Sequence, residues 1–225
     1  MNIEPIAYFR SPFTSKFGIP RQSGIVDELR GDIIFTSSYC DAEVIRGLEG
    51  FDYLWLIWGF SANVSMPKHT TVRPPRLGGN KHLGVFATRS PFRPNNLGLS
   101  SVRIVNIRKD CHNSPIITVA GADLMDGTPI YDIKPYVAFV DSHPKAKSGF
   151  VDTEEWNTLR VIFPESYKQL LPTDECEAMI KALEQDPRPQ YHDDANRVYG
   201  MPFCGWDVRF QVANGLLTVV DMVKL

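Results

Sequence analysis

Three stretches of this sequence concentrate side chains that bind and orient charged or planar groups. The densest is Thr88-Arg89-Ser90-Pro91-Phe92-Arg93-Pro94-Asn95-Asn96-Leu97-Gly98-Leu99-Ser100. Its prolines fix the backbone path and its glycine permits close backbone approach. Each arginine offers a rigid fork of donors suited to a carboxylate or phosphate. These properties fit a preformed pocket wall; a surface loop braced by ion pairs is the alternative. The second stretch is Asp123-Leu124-Met125-Asp126-Gly127-Thr128-Pro129-Ile130-Tyr131-Asp132-Ile133-Lys134-Pro135-Tyr136. Asp126-Gly127 marks a turn, and Asp132, Lys134 and Tyr136 beyond it share one face of an extended strand. Asp126 or Asp132 would stand near a ligand hydroxyl or amine, unless the aspartate only caps a hairpin. The third, Ser11-Pro12-Phe13-Thr14-Ser15-Lys16-Phe17-Gly18-Ile19-Pro20-Arg21-Gln22, is a loop of aromatic, cationic and amide side chains. Gln22 suits a base edge or a ligand amide.

Other chemistries lack their signatures. The chain has no Gly-Lys-Ser/Thr phosphate loop, no His-Glu-x-x-His helix and no Gly-x-Ser-x-Gly elbow. Asp141-Ser142-His143 are consecutive, so they cannot converge as a triad. His69, His82, His112 and His192 show no ligand spacing, and Cys40, Cys111, Cys176 and Cys204 are widely separated. No metal site and no disulfide are expected, and the cysteines read as buried free thiols of a reducing compartment.

The elements that must hold these stretches are mostly strands. Residues 2–9, 31–35, 42–45, 51–60, 81–88, 101–108, 115–120 and 138–141 read as short strands, separated by turn-rich pieces such as residues 73–80. Many short strands with few helical intervals argue for a barrel or sandwich and against a doubly wound α/β fold. The character changes near residues 143–149, which read as a linker. Residues 152–160 are ambiguous between helix and strand. Thr173 is a plausible N-cap for a helix burying Cys176, Met179, Ile180 and Leu183 and ending before Pro187. Residues 208–212 and 216–223 read as two strands joined at Asn214-Gly215, a strong hairpin signal. The expected fold is therefore mainly β: an antiparallel barrel over residues 1–144 and a small α+β unit over residues 145–225.

The 225 residues carry a net charge of −2, with 43% hydrophobic and 22% charged residues, an ordinary globular composition. A net negative chain binds nucleic acid only through a local basic face. Arg73, Arg76, Lys81, Arg89, Arg93, Arg103, Arg108 and Lys109 fall in one region, while Glu175, Glu177, Glu184 and Asp186 lie elsewhere. No apolar stretch is long enough to span a membrane, and the start, with Glu4 and Pro5, lacks the basic and apolar regions of a secretory signal. The expected location is cytoplasmic.

Taken together, the motifs resemble the TrmO family. They occur in the family's order: Ser11-Pro12-Phe13, Lys16-Phe17-Gly18 and Pro20-Arg21-Gln22; then residues 89–95 with Gly98-Leu99-Ser100; then residues 126–129 leading to residues 132–136. The aromatic strand around Trp55 and Phe60 is similar too, as are residues 185–189 and Tyr199-Gly200. The resemblance implies a homodimeric, S-adenosylmethionine-dependent tRNA methyltransferase built on a β-barrel. It would methylate N6 of adenosine 37 in the anticodon loop once that base carries a threonylcarbamoyl group (t6A37), and the smaller C-terminal domain would help bind tRNA. It places cofactor contacts on Pro20, Arg21, Gln22, Phe60, Ser61, Arg89, Leu99, Leu124, Met125, Asp126 and Gly127. The family often has histidine where Ser61 stands and Pro-Ile where Asn96-Leu97 stand.

On this reading a weak base near N6 is useful, and Asp132 and Tyr136 are the candidates. Arg93 is the candidate for the threonyl carboxylate. Phe13, Phe17 and Phe92 are either stacking partners for the loop bases or core. The alternatives are a methyltransferase with a different acceptor, a non-catalytic module binding S-adenosylmethionine or a nucleotide, and a nucleic-acid adaptor with no pocket beside residues 89–100.

Overall fold

In a computed structural model, the described residues are 2–63, 69–74, 81–153, 157–189 and 194–225. Arg76 and His192 lie outside them. Six strands close into an antiparallel barrel: β1 (Ala7–Arg10), β2 (Arg30–Phe35), β3 (Tyr53–Gly59), β6 (Leu97–Lys109), β7 (Pro115–Ala120) and β8 (Thr128–Pro135). The order around the barrel is β1-β2-β7-β6-β3-β8. A short pair, β4 (Thr71–Val72) and β5 (Leu83–Gly84), stands apart from it.

Alternation drives the closure. In β3, Leu54, Leu56 and Trp58 point inward while Tyr53, Trp55 and Ile57 face out. Ala7, Phe9, Ile33, Val102, Ile117, Val119 and Ile130 complete the inner layer. Three connections leave the same end of the barrel: residues 11–29 after β1, residues 60–96 between β3 and β6, and residues 121–127 between β7 and β8. The opposite end carries residues 36–52, residues 110–114 and the exit from β8.

A second core is built by β9 (Arg160–Ile162), β10 (Tyr199–Phe203), β11 (Trp206–Ala213), β12 (Leu216–Lys224), the short helix α2 (Glu165–Lys168) and helix α3 (Thr173–Glu184). The sheet runs β10-β11-β12-β9, with β9 parallel to β12. Asn214 and Gly215 both have positive φ (50° and 74°) at the tip of the expected hairpin, as a two-residue turn matching strand twist requires. Helix α3 buries Cys176, Met179 and Leu183 together with Ala178 and Ala182. Phe13, Val26 and Leu29 from the β1–β2 connection are buried in this same core.

Several expected elements differ. Only Ala7–Arg10 of residues 2–9 is strand. Residues Ala42–Ile45 form a 3-10 turn rather than a strand, because the Asp41 side chain accepts the Glu43 N–H at 2.9 Å and no residue is buried. Within residues 81–88 only Leu83–Gly84 is strand. A 3-10 turn follows (Val85–Ala87), and the Thr88 hydroxyl and the Arg93 guanidinium take the Val85 carbonyl. Ala138–Asp141 is a helical turn, α1, whose Asp141 carboxylate accepts the Val137 N–H at 2.8 Å and the Trp55 indole N–H at 3.0 Å. In the ambiguous stretch, Gly149–Asp152 is a 3-10 turn and strand β9 starts at Arg160. Thr173 is the first helical residue of α3, and Pro172 occupies the cap position without a side-chain bond. Strand β10 was not foreseen; a Cys204-Gly205 turn with φ of 47° and 77° joins it to β11. The thiols are free, but Cys40 and Cys111 are exposed rather than buried.

Candidate active site

Because the three motif segments are the three connections at one end of the barrel, the topology gathers them on one rim. Hydrogen bonds then lock them together. The Ser11 N–H donates to Asp126 Oδ1 at 2.9 Å, and the Asp126 N–H donates to the Phe13 carbonyl at 2.9 Å. These join the first and third segments. Arg89 Nη1 donates to Gln22 Oε1 at 2.6 Å, joining the first and second across 67 positions of sequence. Gln22 Nε2 donates to the Arg21 carbonyl at 2.6 Å, which orients the amide so that its oxygen faces Arg89. Phe60 donates its N–H to the Asn96 carbonyl at 2.9 Å, and Lys16 Nζ reaches the Ala62 carbonyl at 3.4 Å.

The rim offers a mixed surface. Arg89, Ser61, Asp126 and Gly127 are exposed; Arg21, Gln22, Phe60 and Met125 are half-buried; Pro20 is buried. Leu124 is 1% exposed, its side chain in the barrel core, so it can meet a ligand only through its backbone. Leu99 is 57% exposed, on the outer face of β6. Phe60 packs edge-on against Trp58, with ring centroids 4.4 Å apart. Beside Pro20 and Arg21, residues 16–21 face Ala182 and residues 185–187 across a polar cleft of about 200 Å³.

Arg93 braces its own loop. Its Nη1 donates to the carbonyls of Thr88 (2.7 Å) and Val85 (3.3 Å), and its guanidinium lies 5.8 Å from the Phe86 ring centroid. Phe13 and Phe17 are core residues. Phe13 is 1% exposed against Phe203, and Phe17 stacks near Tyr199 and Phe210. Of the three aromatic candidates for base stacking, only Phe92 stays outside the core; it is half-buried, edge-on to His69.

The two candidate bases are not on the rim. Asp132 lies part-way along β8 on the outer face; it and Leu99 are both register partners of Ile57, one from each side. Two strand spacings place their backbones roughly 10 Å apart. Asp132 pairs with Lys134 at 2.9 Å. Tyr136 lies at the opposite end, where its N–H bonds the Tyr53 carbonyl and its ring packs on Tyr53 and Trp55. The eight steps of extended chain from Thr128 to Tyr136 measure roughly 25 Å.

Beneath the rim runs a polar chain to which sequence reasoning assigned no role. Trp58 Nε1 donates to Ser100 Oγ at 2.9 Å, and Ser100 Oγ donates to Asp123 Oδ1 at 2.5 Å. Burial pushes the Asp123 carboxyl above its usual range; the Ser100 bond and the Arg89 charge oppose that rise. Its one mark in the sequence is a carboxylate three residues beyond the end of the buried strand β7.

Residues 8–142 match the tRNA-methyltransferase O N-terminal domain, and residues 157–225 match the TrmO C-terminal domain. The chain is 38% identical over 220 residues to a tRNA (adenine(37)-N6)-methyltransferase of Escherichia coli K12, covering 94% of this chain and 93% of the relative. It is 39% identical over 169 residues to the protein of that name from Eikenella corrodens, covering 75% of this chain and 95% of the relative. The crystal structure of TrmO from Pseudomonas aeruginosa superposes with a TM-score of 0.80 at 30% identity, covering 99% of this chain and 98% of that one. The chain belongs to the tRNA-methyltransferase O family.

Proposed function

We propose that this chain is an S-adenosylmethionine-dependent tRNA (adenine(37)-N6)-methyltransferase. We further propose that its acceptor already carries a threonylcarbamoyl group, so that the product is N6-methyl-N6-threonylcarbamoyladenosine. The observation that carries the reading is the convergence of three sequence-distant segments on one rim, tied by the Arg89–Gln22 bond.

The residues present fit the cofactor. Arg21 and Arg89 supply donors for its carboxylate, and Asp126 is an exposed acceptor for hydroxyls or an ammonium. Phe60 and Met125 offer half-buried apolar surface for a purine. Pro20, Ser61, Leu99, Leu124 and Gly127 complete the proposed contact set. When bound, S-adenosylmethionine supplies a methyl group already activated on a sulfonium. The protein's task is then alignment, which can account for much of the rate. The anticodon-loop base enters unstacked, at modest cost. Arg93, immobilised by the carbonyls of Val85 and Thr88, is the proposed receptor for the threonyl carboxylate.

The N6 of threonylcarbamoyladenosine is attached to an electron-withdrawing carbonyl. That weakens its lone pair and makes its proton easier to remove, so a weak base helps. Tyr136 can serve only across a homodimer, because within one chain it stands at the far end of the barrel, whereas Asp132 is level with Leu99, about 10 Å away. Such a dimer would cover the outer face that exposes Tyr53, Leu99, Phe139 and Val140, with Phe139 90% exposed. Residues 1–144 would be the catalytic domain and residues 145–225 the domain that adds tRNA contacts. The cytoplasm would be its place of action.

Methyl transfer from labelled S-adenosylmethionine to tRNA, with and without the threonylcarbamoyl group, tests the reading. Label on the carbamoylated tRNA alone supports it. Label on both overturns the acceptor assignment. Label on neither, with the cofactor bound, favours a binding module or another acceptor.

A further inference from the structure

One half-buried carboxylate sits where the segments of the proposed site meet, yet the chemistry above does not use it. Asp123 follows β7, and its Oδ1 receives the Ser100 hydroxyl at 2.5 Å. That hydroxyl oxygen in turn accepts the Trp58 indole N–H at 2.9 Å, which fixes the direction of the Ser100 bond. Asp123 also lies in the field of the Arg89 guanidinium, and the Gly24 N–H donates to the Gly121 carbonyl at 2.8 Å, tying the loop behind Gln22 to the same turn. Gln22 is the partner of Arg89. The turn bearing Asp123 is therefore bonded to the start of β6 and to the loop behind Gln22, and its carboxylate stands in the field of Arg89.

We infer that Asp123 is a positioning residue: an anchored acceptor that sets the Arg89–Gln22 pair and the loop behind it at a fixed distance from β6. The inference rests on the reading that Arg89 and Gln22 receive the cofactor. The anchoring is rigid for a physical reason. Trp58 is packed against Gly98, where any Cβ would collide with the indole ring. The indole is buried and packed directly on the Gly98 backbone, and the Trp58–Ser100–Asp123 chain is held from it. A carboxylate held this way has an oxygen and a charge to spare for the loop, whereas a carboxylate that only satisfied Ser100 would leave the loop indifferent to it.

Calorimetric titration of S-adenosylmethionine into the parent chain, Asp123→Asn, Arg89→Ala and the double variant separates these cases. Each single change is expected to weaken binding about tenfold, and the double variant to bind within about twofold of Arg89→Ala, because one residue acts through the other. Losses that multiply to about a hundredfold would overturn the positioning role while leaving the cofactor reading intact. Undiminished affinity in Asp123→Asn would do the same. Undiminished affinity in Arg89→Ala overturns the cofactor reading itself and this inference with it. If Asp123→Asn does not fold, Ser100→Ala keeps the carboxylate but frees it from β6; it is expected to show the same non-additivity with Arg89→Ala, and additive losses there overturn the inference.

Discussion

Arg89 and Gln22 share a 2.6 Å hydrogen bond that closes the rim of the barrel across 67 positions of sequence. Arg89 is exposed, so its contact matters for the shape of the site more than for the stability of the fold. Arg89→Lys keeps the charge and loses the planar fork. S-adenosylmethionine affinity should fall about tenfold, while stability against urea should change by less than about 0.5 kcal/mol. Equal affinity for both proteins would show that the fork is not used.

The Asp123 carboxyl predicts a pH effect on stability. Burial holds its native proton on above the ordinary value of 3.8. Between 3.8 and that raised value the native chain binds more protons than the unfolded chain. The group's contribution is therefore most favourable below that window and is lost as pH rises through it. Asp123→Asn does not titrate. Its melting temperature relative to the parent should improve as pH rises above 3.8 and level off once the native carboxyl has ionised. A pH-independent difference between the two would contradict this account.

Gly18 links the motif loop to the second core. Its φ is +95°, and a Cβ there would meet the Met201 side chain. Gly18→Ala should destabilise the fold by about 1–3 kcal/mol through strain and overpacking. Thermal melts would register that loss, and an unchanged melting temperature would mean that residues 11–29 are not held by the second core.

The thiols should sort by environment. Burial, reinforced by Glu175, pushes Cys204 up to about 12, and burial also raises Cys176. Cys40 and Cys111 are exposed. Mass spectrometry after brief native alkylation at mildly alkaline pH should find label on Cys40 and Cys111 first, since the thiolate is the nucleophile. Early label on Cys204 would mean that the second core opens readily.

What the sequence reveals of this fold follows the range of the forces involved. The runs of branched and aromatic residues in β3 and β7 and the Asn214-Gly215 turn are local, so those strands and the last hairpin could be read directly. Ala42–Ile45 and Ala138–Asp141 carry apolar residues of strand type, but a single aspartate beside each bonds the backbone into a turn. Such competition is invisible to composition. The site shows the same division. Its three segments stand out by residue type, but their meeting on one rim depends on strand order. The Trp58–Ser100–Asp123 chain spans 42 and 23 positions, and a buried serine has no distinguishing neighbour pattern. Tyr136 alternates correctly with Asp132, yet strand length carries it to the far end of the barrel.

The rim formed by residues 11–29, 60–63, 81–96 and 121–127 is the proposed receiver of the cofactor. A crystal structure of the chain with S-adenosylhomocysteine tests this assignment most directly. The account predicts the ligand on that rim, with its polar groups against Arg89, Gln22 and the backbone of residues 124–127. A ligand bound at the opposite end of the barrel, beside residues 110–114, would contradict it.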